Sequence, residues 1–296
     1  MVLTEKNVST GNVSTSTLTF GFLEAGPADG PLALCLHGFP DSAWTWRYLL
    51  PGLAEAGYHA VAPFMRGYAP TEVPADGAYQ TGALVRDACA LHEALGGDGR
   101  AVLIGHDWGA LAAYGAAAFA PERWRRVVTG AVPPSGSMGT AFFSYDQLRR
   151  SWYMFFFQSP LADMAVAMDD LEFIGRLWQD WSPGFDGAED VAHVKDCLRD
   201  PAHLAAALGY YRATFGTTEP QPEYEPEQAA TAAPLTQPTL YLHGVIDGCI
   251  GIALGETAES FLPAGSRMER IEGAGHFLHV EKPDEVNRLI LDFVTA

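Results

Sequence analysis

Short apolar runs alternate with stretches of helical spacing along the first 135 residues, and this alternation limits the fold more than any other feature of the sequence. Repeated alternation of strand and helix is typical of a mostly parallel sheet with helices on both faces. The predicted strands are residues 18–24, 32–36, 59–63, 101–105 and 127–132, and the predicted helices are residues 43–56, with a break at Pro51-Gly52, 79–95 and 111–119. The pattern therefore predicts an α/β domain.

The alternation stops near Pro133, where a second kind of pattern begins. From there to about Glu227 the spacing predicts only helices, at residues 144–157, 161–180, 191–198 and 201–215. The segment starts with a Pro-Pro-Ser-Gly run and ends in a stretch rich in Pro, Glu and Thr at 217–238, and such runs mark domain boundaries. The first pattern resumes with strands at 239–243 and 268–271 and helices at 253–261 and 284–295. We therefore predict a core domain of residues 1–135 and 228–296, with a helical cap of residues 136–227 inserted into it.

Composition and charge exclude several classes of protein. The chain has 296 residues, of which 48% are hydrophobic, and this is enough to bury the core of one α/β domain with an insertion. The formal net charge is −18 and no cluster of Lys or Arg is present, so we expect no nucleic-acid partner and no membrane partner. Residues 1–11 lack the apolar segment of a signal peptide, and a cytoplasmic location follows by elimination. The cysteines have no metal-ligand spacing and are typical of free thiols in a reducing compartment: Cys35, Cys89, Cys197 and Cys249.

The strongest motif is Gly105-His106-Asp107-Trp108-Gly109, which lies between a predicted strand and a predicted helix. A nucleophile flanked in this way by two glycines is held on a sharp, strained turn, with the helix N-terminus behind it. The central residue is Asp, and a carboxylate that attacked an acyl carbon would form a labile anhydride. A carboxylate that attacks a saturated carbon forms a stable ester, so the motif predicts an epoxide or alkyl halide substrate. The alternative interpretation is a simple helix-capping Asp.

Three segments resemble the epoxide hydrolases of the α/β-hydrolase superfamily: His37-Gly38-Phe39-Pro40, the Asp107 motif with Ala110, and Gly273-Ala274-Gly275-His276-Phe277. The resemblance covers nearly the whole chain. It implies an α/β-hydrolase fold and hydrolysis of an epoxide to a vicinal diol through a covalent ester on Asp107. It also implies that the backbone N–H groups of Phe39 and Trp108 form the oxyanion hole.

His276 and Asp247 are the predicted base and orienting acid. His276 follows the last predicted strand, in the third place of the chain order nucleophile, acid, histidine. Asp247 follows the strand at 239–243, and the loop at 130–136, where some relatives carry the acid, contains no Asp or Glu. His279 is a nearby alternative to His276.

Two tyrosines of the cap have contexts that resemble the epoxide hydrolase tyrosines that hold the epoxide oxygen: Tyr153 and Tyr211. Phenols can hydrogen-bond the alkoxide that forms when the ring opens. Successive helical residues point about 100° apart, so Tyr210 and Tyr211 cannot both face the site. We expect an apolar substrate slot, and the predicted substrate-binding residues are His37, Trp108, Phe155 and Phe157; His37 and His106 are also expected to orient loops.

Two alternatives stay open. A haloalkane dehalogenase would use the same Asp nucleophile, with a halide cradle from the cap tryptophans Trp152, Trp178 and Trp181. A non-catalytic ligand receptor could use the same fold, although the intact set of Asp107, Asp247 and His276 argues against it. No P-loop or dinucleotide fingerprint and no metal motif is present, so we expect no cofactor and no metal. The expected partners are a small apolar epoxide and water, with a homodimer left open.

Overall fold

The structure, a computed structural model, describes residues 4–9, 18–216 and 219–296; for residues 4–9 and for Thr140 it describes the backbone alone. Parts of two segments considered above lie outside the described residues. These parts are residues 1–3 and 10–11 of the N-terminal stretch and residues 217–218 at the start of the Pro-rich boundary.

Eight strands form one sheet, in the order β1-β2-β4-β3-β5-β6-β7-β8. The first two strands are antiparallel to each other, β2 is antiparallel to β4, and β3 to β8 all run parallel to one another. The strands are β1 (Thr4–Ser9), β2 (Thr19–Ala25), β3 (Leu32–Leu36), β4 (His59–Pro63), β5 (Ala101–His106), β6 (Trp124–Gly130), β7 (Thr239–Gly244) and β8 (Arg267–Ile271). The mostly parallel sheet with helices on both faces is confirmed.

The central strands are apolar along their whole length because both faces of the sheet are covered. Every residue of β3, β4, β5 and β7 is buried, whereas β8 at the edge is largely accessible. The helices are α1 (Leu50–Glu55), α2 (Thr81–Ala94), α3 (Trp108–Phe119), α4 (Ser135–Met138), α5 (Tyr145–Arg150), α6 (Trp152–Phe156), α7 (Ala162–Trp181), α8 (Ala188–Leu198), α9 (Pro201–Phe215), α10 (Glu225–Ala230), α11 (Leu278–Glu281) and α12 (Pro283–Thr295). None of the helices in the described part of the chain has the length and apolar character needed to cross a membrane.

Most predicted elements are present, and the errors have local causes. The predicted break at Pro51-Gly52 is wrong. Pro51 lies in the first turn of α1, where backbone N–H groups have no acceptor within the helix, so a proline there costs no hydrogen bond. A short 3₁₀ helix, Ala43–Trp46, precedes α1. The predicted helix at 253–261 is two 3₁₀ segments, Ile252–Leu254 and Ala258–Phe261. Strand β1 was not predicted.

The helices α5 to α9 lie over the loops at the carboxyl ends of the strands. Among the hydrogen bonds that join these two parts of the molecule, three involve tryptophans of α7. The indole N–H of Trp178 donates to the carbonyl of Pro40 at 2.8 Å, and the backbone N–H groups of Gly248 and His276 both donate to the carbonyl of Trp181 at 3.0 Å. The predicted boundary at residue 227 falls inside α10, which packs against α2 and α3 of the sheet domain. The carboxyl ends of the strands are thereby enclosed between these loops and the helices α5 to α9.

Candidate active site

Asp107 occupies a sharp turn between β5 and α3. Its backbone has φ 54° and ψ −118°, a conformation that costs a non-glycine residue roughly 1–3 kcal/mol. The flanking glycines make the turn sterically feasible: a Cβ on Gly105 would lie 2.2 Å from the carbonyl oxygen of Gly109, and one on Gly109 would lie 2.3 Å from that of Leu36. The turn therefore presents the Asp107 carboxylate at the end of the strand, ahead of the positive N-terminus of α3.

One oxygen of the Asp107 carboxylate is held by the loop that follows β3. The backbone N–H of Phe39 donates to Asp107 Oδ1 at 2.7 Å. This approach needs a glycine before Phe39, since a Cβ on Gly38 would lie 2.3 Å from the same oxygen. The N–H of Trp108 belongs to the first residue of α3 and has no acceptor within the helix. Of the two predicted oxyanion donors, the N–H of Phe39 contacts the Asp107 carboxylate, and the N–H of Trp108 belongs to the next residue along the chain.

His276 lies beside the second oxygen of Asp107. Its Nε2 is 3.7 Å from Asp107 Oδ2, and its Nδ1 is 2.9 Å from Asp247 Oδ2. The other oxygen of Asp247 accepts hydrogen bonds from the backbone N–H groups of Cys249, at 2.7 Å, and Ile250, at 2.8 Å. The orienting carboxylate is therefore fixed by backbone, and it directs Nε2 of the imidazole towards Asp107.

Asp107 and His276 shift each other's protonation, and the charge of Asp247 adds to the shift of His276. Burial alone lowers the pKa of His276, but the charges of Asp247 and Asp107 outweigh burial and raise it to about 10. Burial alone raises the pKa of Asp107, but the neighbouring His276 outweighs it, so the pKa lies below its usual value. At neutral pH the site consequently holds an ionised Asp107 next to an imidazolium.

A second buried polar cluster lies next to the loop that carries His276, and it is formed by Asp41, His106 and His279. His106 Nε2 donates to the carbonyl of His276 at 2.9 Å, and His279 Nε2 pairs with the hydroxyl of Thr45. One ligand atom from each of the three residues lies within 4.8 Å of the others, the spacing of a cation site. Burial raises the pKa of Asp41 to about 8 and lowers that of His106 to about 3, so both are uncharged at neutral pH.

Both predicted cap tyrosines lie at the site. The ring of Tyr211 packs against Phe39 and Trp108, with centroid distances of 5.1 Å to each, and the ring of Tyr153 lies 5.5 Å from that of Tyr211. The hydroxyl of Tyr153 is 3.3 Å from Cys249 Sγ, and the buried hydroxyl of Tyr211 makes no hydrogen bond to any residue that the structure describes. Burial raises the pKa of both phenols well above its usual value, so both stay protonated and can donate.

The neighbour Tyr210 points elsewhere, as the helical geometry predicts. Its hydroxyl donates to the carbonyl of Arg66 at 2.8 Å. Phe157 is fully buried and packs against Phe39 with a centroid distance of 5.5 Å, but it does not line the cavity described below, so its contact with substrate stays a prediction.

The structure corrects two predicted substrate contacts. Phe155 is 51% exposed and lies outside the lining of the cavity described below, because it is two residues from Phe157 on a helix and points away from it. His37 uses Nδ1 to donate to the Gly38 carbonyl and Nε2 to accept from the Met65 N–H, both at 2.9 Å, so it orients the loop instead of contacting substrate. Burial lowers the pKa of His37 to about 4, which keeps the ring neutral.

The cap tryptophans do not converge as a halide cradle requires. The indole N–H of Trp178 is already donated to Pro40, and Trp152 is 45% exposed. Trp181 is buried, and its ring lies 5.2 Å from that of His276 and 4.8 Å from that of Tyr153.

A cavity of about 490 Å³ reaches Asp107 from the side of α3, α9 and α10. The sequence predicted only Asp107, Trp108 and Tyr211 of its lining. It is also lined by Thr81, Leu111, Val132, Ser135, Met138, Gly139, Phe142, Phe143, Met154, Thr214, Phe215, Gln228, Thr231 and Ile250. These residues come from distant parts of the chain and belong to no motif. The position of Leu111, one turn after Asp107 on the same helix, was the single signal that could have identified one of them.

A buried Asp on a strand-to-helix turn, with an Asp–His pair from loops after later strands, is the arrangement typical of an α/β hydrolase. The family model described as alpha/beta hydrolase fold matches residues 31–283. The chain is 32% identical to epoxide hydrolase 3 of Xenopus tropicalis, covering 94% of this chain and 75% of that protein. It is 29% identical to epoxide hydrolase A of Mycobacterium tuberculosis, covering 96% of each. The crystal structure of the Bacillus megaterium epoxide hydrolase with an inhibitor matches with a TM-score of 0.80, at 26% identity, over 99% of this chain and 100% of that one. The chain therefore belongs to the epoxide hydrolases of the α/β-hydrolase family.

Proposed function

We propose that this enzyme hydrolyses an epoxide to a vicinal diol through a covalent ester on Asp107. One observation carries the proposal: a buried carboxylate on the strained turn faces an imidazole at 3.7 Å and shares its enclosure with two protonated phenols. The carboxylate attacks a saturated carbon, and the phenols hold the oxygen that leaves it. The family relationship and the names of the relatives support the same substrate class.

In the first step Oδ2 of Asp107 is the attacking atom, since Oδ1 is held by the N–H of Phe39. A bond forms between Oδ2 and one ring carbon, and the bond between that carbon and the epoxide oxygen breaks. The oxygen becomes an alkoxide, which accepts hydrogen bonds from Tyr153 and Tyr211. These donors are needed because the leaving group stays tethered and could otherwise close the ring again.

Ester formation also changes the charge of the site. The pKa of His276 is raised by two carboxylates, and esterification removes the charge of one of them. The imidazolium then releases its proton more readily. This proton neutralises the alkoxide, and the neutral His276 that remains is the base for the second step.

In the second step His276 removes a proton from water, and the water oxygen attacks the carbonyl carbon of the ester. The charge that develops on Oδ1 is stabilised by the N–H groups of Phe39 and Trp108, and each such donor contributes about 10²–10³ in rate. The tetrahedral intermediate collapses and the bond to the alkyl oxygen breaks. The proton that remains on the water-derived oxygen passes to this alkyl oxygen, and the diol leaves. Asp107 and the imidazolium are restored, and the net reaction adds one water to one epoxide.

A single-turnover reaction in H₂¹⁸O tests the ester. With enzyme in excess over styrene oxide, the first diol should contain no ¹⁸O, because its new oxygen comes from Asp107. The ¹⁸O should appear in the peptide that contains Asp107, as a mass increase. A first-turnover diol that carries ¹⁸O would mean that water attacks the epoxide directly and would overturn the covalent mechanism.

The dehalogenase alternative is less well supported, because the indole of Trp178 is committed to Pro40 and the site offers phenols instead. Halide release from 1-bromobutane, measured beside diol formation, separates the two activities. Halide release without diol formation would reverse the assignment.

The cap of residues 136–227, the cytoplasmic location and the homodimer stay predictions.

A further inference from the structure

The cavity at Asp107 is much larger than a small epoxide. Its volume of about 490 Å³ lies in the range of roughly 300–1,000 Å³ that is typical of pockets for drug-sized ligands. It starts at Asp107 and Trp108, passes Leu111, and ends at a mouth beside Phe143, which is 71% exposed, and Phe215, which is 38% exposed. A three-carbon epoxide would leave most of this volume unfilled.

The opposite side of Asp107 is closed by packed aromatic rings. Phe39 is fully buried, and the ring of Phe157 lies 5.5 Å from it and 5.6 Å from that of Tyr153. Tyr153 in turn lies 4.8 Å from the ring of Trp181. Close-packed rings of this kind leave no space for a second substituent unless the cap moves. An epoxide held at Asp107 can therefore extend in one direction only.

The wall of the cavity offers no charge to a substrate. Asp107 is the only charged side chain among the lining residues, and none of them is Lys or Arg. Three of the polar side chains already have partners: Gln228 accepts from the Gly82 N–H, and the hydroxyls of Thr231 and Thr214 donate to the carbonyls of Gln228 and Tyr210. The wall is thus effectively apolar along its length, and a buried carboxylate on the substrate would find no cation there.

We infer that the substrate is a terminal epoxide whose single substituent is long, apolar and uncharged, and that this substituent lies along α3 towards Phe142 and Phe215. The inference rests on the proposed function. It specifies the direction in which the substituent lies, its length and its lack of charge.

A series of terminal epoxides from 1,2-epoxypropane to 1,2-epoxydecane tests the size. Each buried methylene should raise kcat/KM by about threefold to fourfold until the cavity is filled.

The internal isomer trans-4,5-epoxydecane tests the direction, and its kcat/KM should be at least about 10²-fold below that of 1,2-epoxydecane, since its second substituent meets the packed rings. The salt of 9,10-epoxydecanoic acid and its methyl ester test the charge. The carboxylate should react at least about tenfold more slowly than the ester.

Leu111 allows a test by substitution, because it lines the cavity beyond the reacting groups. In Leu111→Trp the larger ring should lower the ratio of kcat/KM for 1,2-epoxydecane to kcat/KM for 1,2-epoxypropane by about tenfold or more. Leu111→Met keeps the volume and is the matched control, so this ratio should stay within about threefold of the wild-type ratio.

The outcomes separate this inference from the proposed function. If the purified enzyme converts none of these epoxides, the proposed function fails. If it converts them, but short, internal and anionic epoxides react as fast as the long terminal ones, the inference is wrong and the proposed function stands. The inference would also be overturned if Leu111→Trp slowed both chain lengths equally.

Discussion

The two walls that face Asp107 differ in charge: one contains ionised groups, and the other contains only neutral side chains. The core wall consists of Phe39, Asp247 and His276, and its charged groups are held by backbone N–H groups and by each other. The cap wall consists of Tyr153, Phe157 and Tyr211, which are neutral, fully packed aromatic side chains. In the mechanism proposed above, one wall stabilises the charges of Asp107 and His276, while the other limits the space beside Asp107 and holds the leaving oxygen.

This division follows from the elements that supply each wall. Loops at the carboxyl ends of parallel strands and the first turn of a helix have unpaired backbone N–H groups that can face a carboxylate. The interior of a cap helix has none, because its N–H groups are bonded within the helix. Helix interiors in this part of the chain can therefore contribute only side-chain donors, and phenols are among those that can be buried there without adding charge.

The largest expected effect is that of Asp107→Ala. Removal of the attacking carboxylate should lower kcat for diol formation by at least about 10⁴-fold, as loss of a nucleophile does in other covalent hydrolases. Diol formation is measured with styrene oxide, and thermal unfolding shows whether the variant is folded. A folded variant that keeps a tenth of the activity would mean that another group attacks the epoxide.

His276→Gln tests the second half of the core wall. It should lower steady-state turnover by about 10³–10⁴-fold, because the ester forms but water is not activated. Intact-protein mass spectrometry should then detect enzyme heavier by the mass of one substrate. A variant that turns over normally, or one that never becomes alkylated, would contradict the role of His276 as the base of the second step.

Tyr211→Phe tests the cap wall, and the adjacent Tyr210→Phe is its matched control. Loss of the Tyr211 hydroxyl should lower the single-turnover rate of alkylation by about 10²-fold. Tyr210→Phe loses a hydrogen bond to the Arg66 carbonyl, so it should cost about 1 kcal/mol of stability and change the alkylation rate by less than about threefold. Equal effects of the two variants on the rate would remove the distinction between these neighbouring phenols.

The smallest expected effect is a change with pH in the free energy of unfolding of the protein. The pKa of His276 is raised in the folded protein from 6.5 to about 10, so the folded state binds this proton more tightly than the unfolded state. The stabilisation is fully present below pH 6.5 and is lost as the pH rises towards about 10. Urea unfolding across this range should show a decrease in the free energy of unfolding that is smaller in His276→Gln. An identical pH dependence in the two proteins would mean that His276 is not the group responsible.

The two walls also differ in how well they could be predicted from the sequence. Asp107, Phe39 and His276 are carried by short motifs whose spacing and order along the chain reflect the steric demands of strand-to-helix turns. Asp247 was found by its place after a strand and by the lack of an acid at 130–136. For the cap wall, Tyr153 and Tyr211 were identified through family resemblance, and the prediction failed two residues away at Phe155, because the aromatic run of α6 does not reveal which ring points inwards.

The sequence by itself determined the strand and helix alternation, the sharp turn and the kind of nucleophile it carries, because these depend on neighbouring residues and on sterics within a few positions. Only the tertiary structure decided which cap side chains meet Asp107, how the charges shift the pKa of His276, and that the cavity opens on one side of the nucleophile. Those properties arise from contacts between residues far apart in the chain, such as Phe39 with Tyr211 and Asp107 with His276, and distances of this kind are set by packing.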